Sequence, residues 1–228
     1  MPINPIVSLP FRDRTEAGRL LAARLRLYAG RSDTMVFALP RGGVPVAAEI
    51  AETLRVPLLV FVVRKLGVPG REELAMGAIT SGGKRLINRA VTSALNIPEG
   101  KIDQVAWLET RELQRRERLY SRGQPMPDVK GKIIILVDDG IATGSSMVLA
   151  VQALREQEAG RIVVAVPVAP AGVVSQLGGL ADDVLCLAVP EPFAAVGQWY
   201  QDFAQVTDRD VCRTLDRLIE RTHELQPA

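Results

Sequence analysis

The stretch Ile133-Ile134-Ile135-Leu136-Val137-Asp138-Asp139-Gly140-Ile141-Ala142-Thr143-Gly144-Ser145-Ser146 decides the fold. Five apolar residues end in two adjacent carboxylates. A turn of small and hydroxyl side chains leads into a helical pattern from Met147. Such an apolar run reads as a strand buried on both faces, as in a parallel sheet. The acid pair then stands at the strand's carboxyl end, where open α/β sheets bind ligands. The turn Ala142-Thr143-Gly144-Ser145-Ser146 offers free backbone N–H groups and three hydroxyls at a helix N-terminus, which suits a phosphate. Two carboxylates beside a phosphate would repel it unless they hold something else. Sugar hydroxyls meet that need, directly or through a hydrated Mg2+. The plainer alternative is a strand–turn–helix whose acids only cap the helix.

Working outward, strands alternate with helices along the chain. Residues 1–14 carry Pro2, Pro5 and Pro10 and read as an extended arm. Asp13 and Glu16 form an N-cap and N3 pair. The helix behind them runs to about Tyr28, with Ala17, Leu20, Leu21 and Leu25 inward. Strands are expected at Thr34 to Leu39, Leu58 to Val63, Ala75 to Thr80, Lys132 to Val137, Arg161 to Val168 and Val184 to Val189. Helices are expected at Val44 to Leu54, Met147 to Gln157 and Val173 to Leu177. A long charged helix from Ile102 to Tyr120 turns Ile102, Val105 and Leu108 inward. A last one, Thr207 to Leu225, carries Val211, Leu215, Leu218 and Ile219 at helical spacing. This order predicts an α/β fold: an open, twisted, mainly parallel sheet with helices on both faces and right-handed crossovers.

Composition narrows the function. The 228 residues are 47% hydrophobic, enough for one sizeable core. No apolar run approaches the ~18 residues a membrane span needs. The N-terminus lacks a basic n-region and apolar core, so the cytoplasm is the expected compartment and no membrane partner is expected. Cys186 and Cys212 form no CxxC and read as buried free thiols. With 28 basic and 26 acidic residues, the formal charge of +2 argues against a nucleic-acid partner and leaves room only for a local basic patch. The single histidine, His223, argues against histidine catalysis and multi-histidine zinc sites. Arg111, Glu112, Arg115, Arg116, Glu117 and Arg118 alternate in sign, as on a solvated or interface face.

Two more loops fall on the same sheet edge. In Leu39-Pro40-Arg41-Gly42-Gly43-Val44-Pro45, the glycines allow close backbone approach or positive φ, and Arg41 adds a bidentate cation. Together they read as a pyrophosphate site. Arg64 and Lys65 end the second apolar strand, and Gly67-Val68-Pro69-Gly70-Arg71-Glu72-Glu73 follows as a polar stretch suited to a lid. After the last strand, Phe193, Trp199 and Tyr200 are candidates to stack on a base, with hydrophobic packing of a C-terminal cap as the alternative.

The acid-pair segment resembles the PRPP-binding motif of type I phosphoribosyltransferases, PRPP being 5-phosphoribosyl-1-pyrophosphate. The resemblance covers about Thr34 to Val189. It implies a single type I phosphoribosyltransferase-like domain over 1–228, with a core at about 34–189 and a small hood or cap from 1–28 and 190–228. It also implies Mg2+-dependent transfer of the 5-phosphoribosyl group from PRPP to a nitrogenous base, with release of pyrophosphate. Asp138 and Asp139 match the positions that hold the ribose hydroxyls and, through water, the metal. Ala142, Thr143, Gly144, Ser145 and Ser146 match the 5′-phosphate loop. Arg41, Gly42, Gly43, Arg64 and Lys65 are the expected pyrophosphate ligands. Asp138, Asp139 and Lys65 are the expected catalytic residues. The implied partners are PRPP and a nucleobase-like small molecule, with a homodimer left open.

One departure matters. Hypoxanthine–guanine-type enzymes often carry an aspartate before Thr-Gly, and Ala142 cannot exchange a proton as that aspartate would. Nor is there a lysine–histidine loop of the orotate type. The rival class is a PRPP-sensing regulatory protein with little or no transferase activity. A dinucleotide-binding domain fits poorly, since Gly140-Ile141-Ala142-Thr143-Gly144 is not Gly-x-Gly-x-x-Gly and no Walker Gly-Lys-Ser/Thr occurs.

Overall fold

The computed structural model describes residues 8–121 and 125–224. Residues 1–7 of the expected arm, the side chain of His223, and Leu225, the expected last residue of the final helix, lie outside the described residues.

Five strands form a parallel sheet: β1 (Thr34–Ala38), β2 (Leu58–Val60), β6 (Ile133–Val137), β7 (Arg161–Val168) and β8 (Asp183–Ala188). Their spatial order is β2-β1-β6-β7-β8. The strand expected to be buried on both faces, β6, is the central one, with Val36 opposite Ile135 and Ile135 opposite Val163. Alternate residues of a strand face opposite sides. Val36, Ala38, Ile135, Val137, Val163 and Ala165 therefore face one core, and Phe37, Ile134, Leu136, Ile162, Val164 and Val166 the other. Ile134, Ile135, Leu136 and Val137 are fully buried. Each is worth ~1.5–3 kcal/mol in transfer free energy, which is why an unbroken apolar run belongs here.

Helices α1 (Arg14–Arg24), α2 (Gly43–Leu54), α4 (Glu99–Ser121) and α7 (Asp208–Glu224) contribute to the first core. Helices α5 (Ser145–Glu156) and α6 (Ala171–Gly178) cover the second. The capping pair forms as expected. The Asp13 carboxylate accepts from Glu16 N, and the Glu16 carboxylate accepts from Arg12 N.

The structure corrects several expectations. Leu58 to Val63 is not one strand. β2 ends at Val60, and the chain then crosses into a second, antiparallel sheet of β3 (Val63–Val68), β4 (Arg71–Thr80) and β5 (Arg85–Ile87), leading to the short helix α3 (Arg89–Ala94). An apolar run does not reveal where its pairing partner changes, here from β1 to β4. The polar stretch read as a lid is the β3–β4 hairpin. Pro69 and Gly70 (φ 77°) take the central positions of its turn, the pattern of a type II turn. Leu108 is 54% exposed, because α4 buries Ile102, Ala106, Leu113 and Tyr120 instead. Ile219 is 47% exposed, since Val211 and Leu215 carry the buried side of α7. Cys186 and Cys212 are half-buried free thiols rather than fully buried ones. The first lies on the edge strand β8, where burial still pushes its pKa up to about 11.

Candidate functional site

Going outward from the middle of the sheet, β1 leads to β2 on one side and β6 to β7 and β8 on the other. The switch point lies between β1 and β6, and the loops after these two strands part there to leave a crevice. Those loops are residues 39–42 and 138–142. Their roots are tied, since Leu39 N donates to Val137 O at 2.9 Å. Between them and the segment 203–206 lies a cleft of about 400 Å3, lined by Arg14, Pro40, Arg41, Gly42, Asp138, Asp139, Phe203, Gln205 and Val206.

The two loops interlock. A Cβ built on Gly42 would sit 2.0 Å from Asp139 Oδ2, so glycine is required here for close approach. Its own φ of −60° is ordinary helical backbone. Asp138 Oδ1 accepts from Asp139 N at 2.8 Å. Burial, and then the charge of Asp139 beside it, pushes the Asp138 carboxyl well above the usual carboxylate range. Burial raises Asp139 as well, and Arg14 opposes that shift.

Arg14 was not legible as a site residue. Its Nε donates to Asp139 Oδ2 at 2.7 Å, and its Nη2 lies 2.7 Å from the same oxygen. The two side chains are only 11% and 13% exposed. Nη1 donates to Ala204 O at 2.8 Å, and the guanidinium lies 3.9 Å from the Phe203 ring centroid. One residue of α1 thus ties the acid turn to the C-terminal segment. A signal did exist, because Arg14 precedes Ala17, Gly18 and Leu21 at helical spacing on the buried side of α1.

The remaining expected residues fall as follows. Arg41 reaches the cleft, with its Nη1 3.6 Å from Asp208 Oδ1. Asp208 also accepts from Tyr120 OH at 2.7 Å, which together with Arg41 and Arg115 holds its pKa below the usual value. Ala142, Thr143, Ser145 and Ser146 are exposed, next along the chain from the acid pair, and are not among the cleft's lining residues. Gly144, with φ 77°, is the N-cap of α5 and provides no capping side chain.

Arg64 and Lys65 do not line the cleft; they lie in β3. Arg64 Nε donates to Glu109 Oε2 at 2.7 Å, tying the hairpin to α4. Tyr200 does not present a free face for a base. It is buried, its ring packs on Phe11 and Phe203, and its hydroxyl donates to Asp139 O at 2.6 Å. Phe193 and Trp199 pack on each other with centroids 6.1 Å apart, away from the cleft lining. Phe203, Gln205 and Val206, which sequence reasoning passed over, line it instead.

The acid pair suits a hard divalent cation by its chemistry. Among the described residues no three acid, histidine or cysteine side chains gather to cage one. Among the described residues no helix is long and apolar enough to cross a membrane.

An open parallel sheet with an acid pair facing an Arg-Gly-Gly loop at its switch point defines a doubly wound ligand-binding α/β protein. Residues 13–174 match the phosphoribosyl transferase domain, and the chain belongs to that family. A protein of Mycobacterium tuberculosis H37Rv, provisionally named a phosphoribosyl transferase, is 46% identical over 207 residues, covering 91% of this chain and 46% of its own length. A protein of strain CDC 1551 with the same provisional name matches equally well. The chain thus spans about half the length of these curated relatives. The crystal structure of TT1426 from Thermus thermophilus superposes with a TM-score of 0.81 at 41% identity, over 91% of this chain and 98% of that one.

Proposed function

We propose that this chain moves the 5-phosphoribosyl group of PRPP to a ring nitrogen of a nucleobase-like acceptor and releases pyrophosphate. The observation that carries the reading is the single cleft in which Asp138 and Asp139 face Arg41 and Gly42. In the reaction the bond from C1′ to the pyrophosphate oxygen breaks, a bond from C1′ to nitrogen forms, and the nitrogen's proton leaves to solvent. A cationic sugar in the transition state calls for positioning and charge stabilisation rather than a strong nucleophile.

In this reading Asp138 accepts from the ribose hydroxyls. Asp139 shares them through Oδ1, its Oδ2 being committed to Arg14. The N–H groups and hydroxyls of Ala142 to Ser146 hold the 5′-phosphate. Arg41 and the backbone of Gly42 and Gly43 hold pyrophosphate. Mg2+, held through water by Asp138 and Asp139, would supply further charge neutralisation on the leaving group. Phe203, Gln205 and Val206 face the acceptor.

Calorimetric titration of PRPP with and without Mg2+, with ribose 5-phosphate as control, tests the donor site. Saturable PRPP binding that tightens with Mg2+ is expected, followed by pyrophosphate release in a nucleobase screen. Binding with no release for any base would favour the PRPP-sensing regulator. No binding in either condition would overturn the reading.

A further inference from the structure

We propose that the outer face of α4 is a docking surface for single-stranded nucleic acid. In sequence this helix alternates in sign, but in three dimensions the signs separate. All five of its acids are engaged to the side or inward. Glu99 pairs with Arg89, Asp103 with Arg85, Glu109 with Arg64, and Glu112 with Arg115 and Arg116, while Glu117 accepts from Gly82 N. At ~100° per residue, Lys101, Trp107, Leu108, Arg111, Arg115 and Arg118 share one arc of the helix about 120° wide, and no acid falls within it. All six are exposed.

The arc runs ~26 Å along the axis from Lys101 to Arg118. Arg118 has no ion pair among the described residues, and Arg111 meets the Trp107 ring, 5.2 Å from its centroid, rather than a carboxylate. Trp107 is 57% exposed and Leu108 54%. Arg115 is paired with Glu112 and Asp208, but a surface tryptophan covered on one side by Arg111 and accompanied on the same arc by Lys101 and Arg118 joins a stacking platform to a phosphate track. The spacing does not favour a second copy of the chain, because a two-fold contact about this helix would set arginines against arginines. The face meets the cleft side only at Arg115, which shares Asp208 with Arg41; Lys101, Trp107, Arg111 and Arg118 are not among the cleft's lining residues, so this inference does not depend on the proposed transferase reaction.

A fluorescein-labelled single-stranded RNA of about 12 nucleotides, within the usual site size, is titrated with the protein while anisotropy is read. In parallel, the Trp199→Phe variant leaves Trp107 as the sole tryptophan, so that its emission reports stacking directly. Expected are saturable binding at about 50 mM salt, quenching of Trp107, and a log–log salt slope of roughly −2 to −3 for three or four phosphates. Arg111→Glu with Arg118→Glu should weaken binding at least about tenfold while thermal melting and PRPP titration stay unchanged. Three results would overturn the proposal. One is no saturable anisotropy change at the lower salt. Another is binding that the double variant does not weaken. The third is a dimer on gel filtration that Trp107→Ala dissolves.

Discussion

Gly42→Ala tests the interlock at the centre of the cleft. The substitution is conformationally permitted, with φ −60° and ψ −34°, so any cost comes from space alone. The new methyl would lie 2.0 Å from Asp139 Oδ2, 2.5 Å from Cγ and 2.9 Å from Oδ1. The carboxylate cannot rotate away freely, because Arg14 grips the same oxygen twice at 2.7 Å and Tyr200 OH holds the Asp139 carbonyl at 2.6 Å. Overpacking costs ~1–3 kcal/mol, and breaking a buried ion pair ~3–5 kcal/mol. The real response lies between these, at about 2–4 kcal/mol, or a fall in Tm of roughly 4–16 °C for a domain of this size. Urea denaturation and calorimetry measure it. Gly100→Ala, with nothing within 4 Å of its Cβ, is the control and should be neutral or mildly stabilising. The decisive comparison repeats Gly42→Ala in an Arg14→Leu/Asp139→Ala background. Without the carboxylate the methyl should cost less than about 1 kcal/mol. An equal cost in both backgrounds, or a cost under about 1 kcal/mol in the wild type, would refute the interlock.

Arg14→Leu should destabilise by about 3–5 kcal/mol, because it leaves the Asp139 carboxylate buried without its cation. Arg14→Lys keeps the charge but not the paired donors, so it should recover only part of the loss in urea denaturation. Asp138→Asn should raise Tm at pH 7.5 when Mg2+ and PRPP are absent. The folded pKa of Asp138 lies above its unfolded value. Its contribution is therefore fully present below the unfolded pKa and is lost as pH rises through the folded one. The amide oxygen can still accept from Asp139 N, and the gain should vanish near pH 4. A gap in Tm that stays constant between pH 4 and 7.5 would contradict the assignment.

What could be read from the sequence was what is local in the chain. The apolar run Ile133 to Val137, the acids behind it and the glycine turn before α5 lie within one strand–turn–helix unit, so their order was enough to place them. The close approach at Gly42 was half legible. Two adjacent glycines announced either positive φ or tight packing, and only the structure decides for packing, against a side chain almost a hundred residues away. The hairpin was missed because Leu58 to Val63 keeps one hydropathy pattern while its partner changes. Leu108 and Ile219 were misplaced because helical spacing fixes a stripe but not which edge of it a neighbour covers. Tyr200 was chosen for its aromatic character, but its hydroxyl and ring are spent on holding the acid turn in place.

The division between legible and illegible follows the two halves of the cleft. The half assigned to the donor comes from two loops that grow directly out of neighbouring strands β1 and β6, and their spacing is fixed by the sheet itself. The other half is assembled from Arg14 and from residues 203–206; Arg14 meets Asp139 at a separation of 125 positions along the chain and Ala204 at 190. No strand register constrains that second half. It is held by one guanidinium, a short aromatic stack and the packing of α1 on the sheet. Substitutions at Gln205 or Val206 can therefore reshape that side at little cost to the acid turn, whereas substitution at Arg14, or at Phe203, whose ring packs on Arg14 and Tyr200, disturbs both. On the proposed reading, the donor chemistry rests on sheet geometry and the choice of acceptor on the terminal segments. Exchanging Gln205 and Val206 for the residues of a relative should accordingly alter acceptor preference while PRPP affinity changes less than about threefold, and a parallel loss of PRPP binding would show that the two halves are not separable.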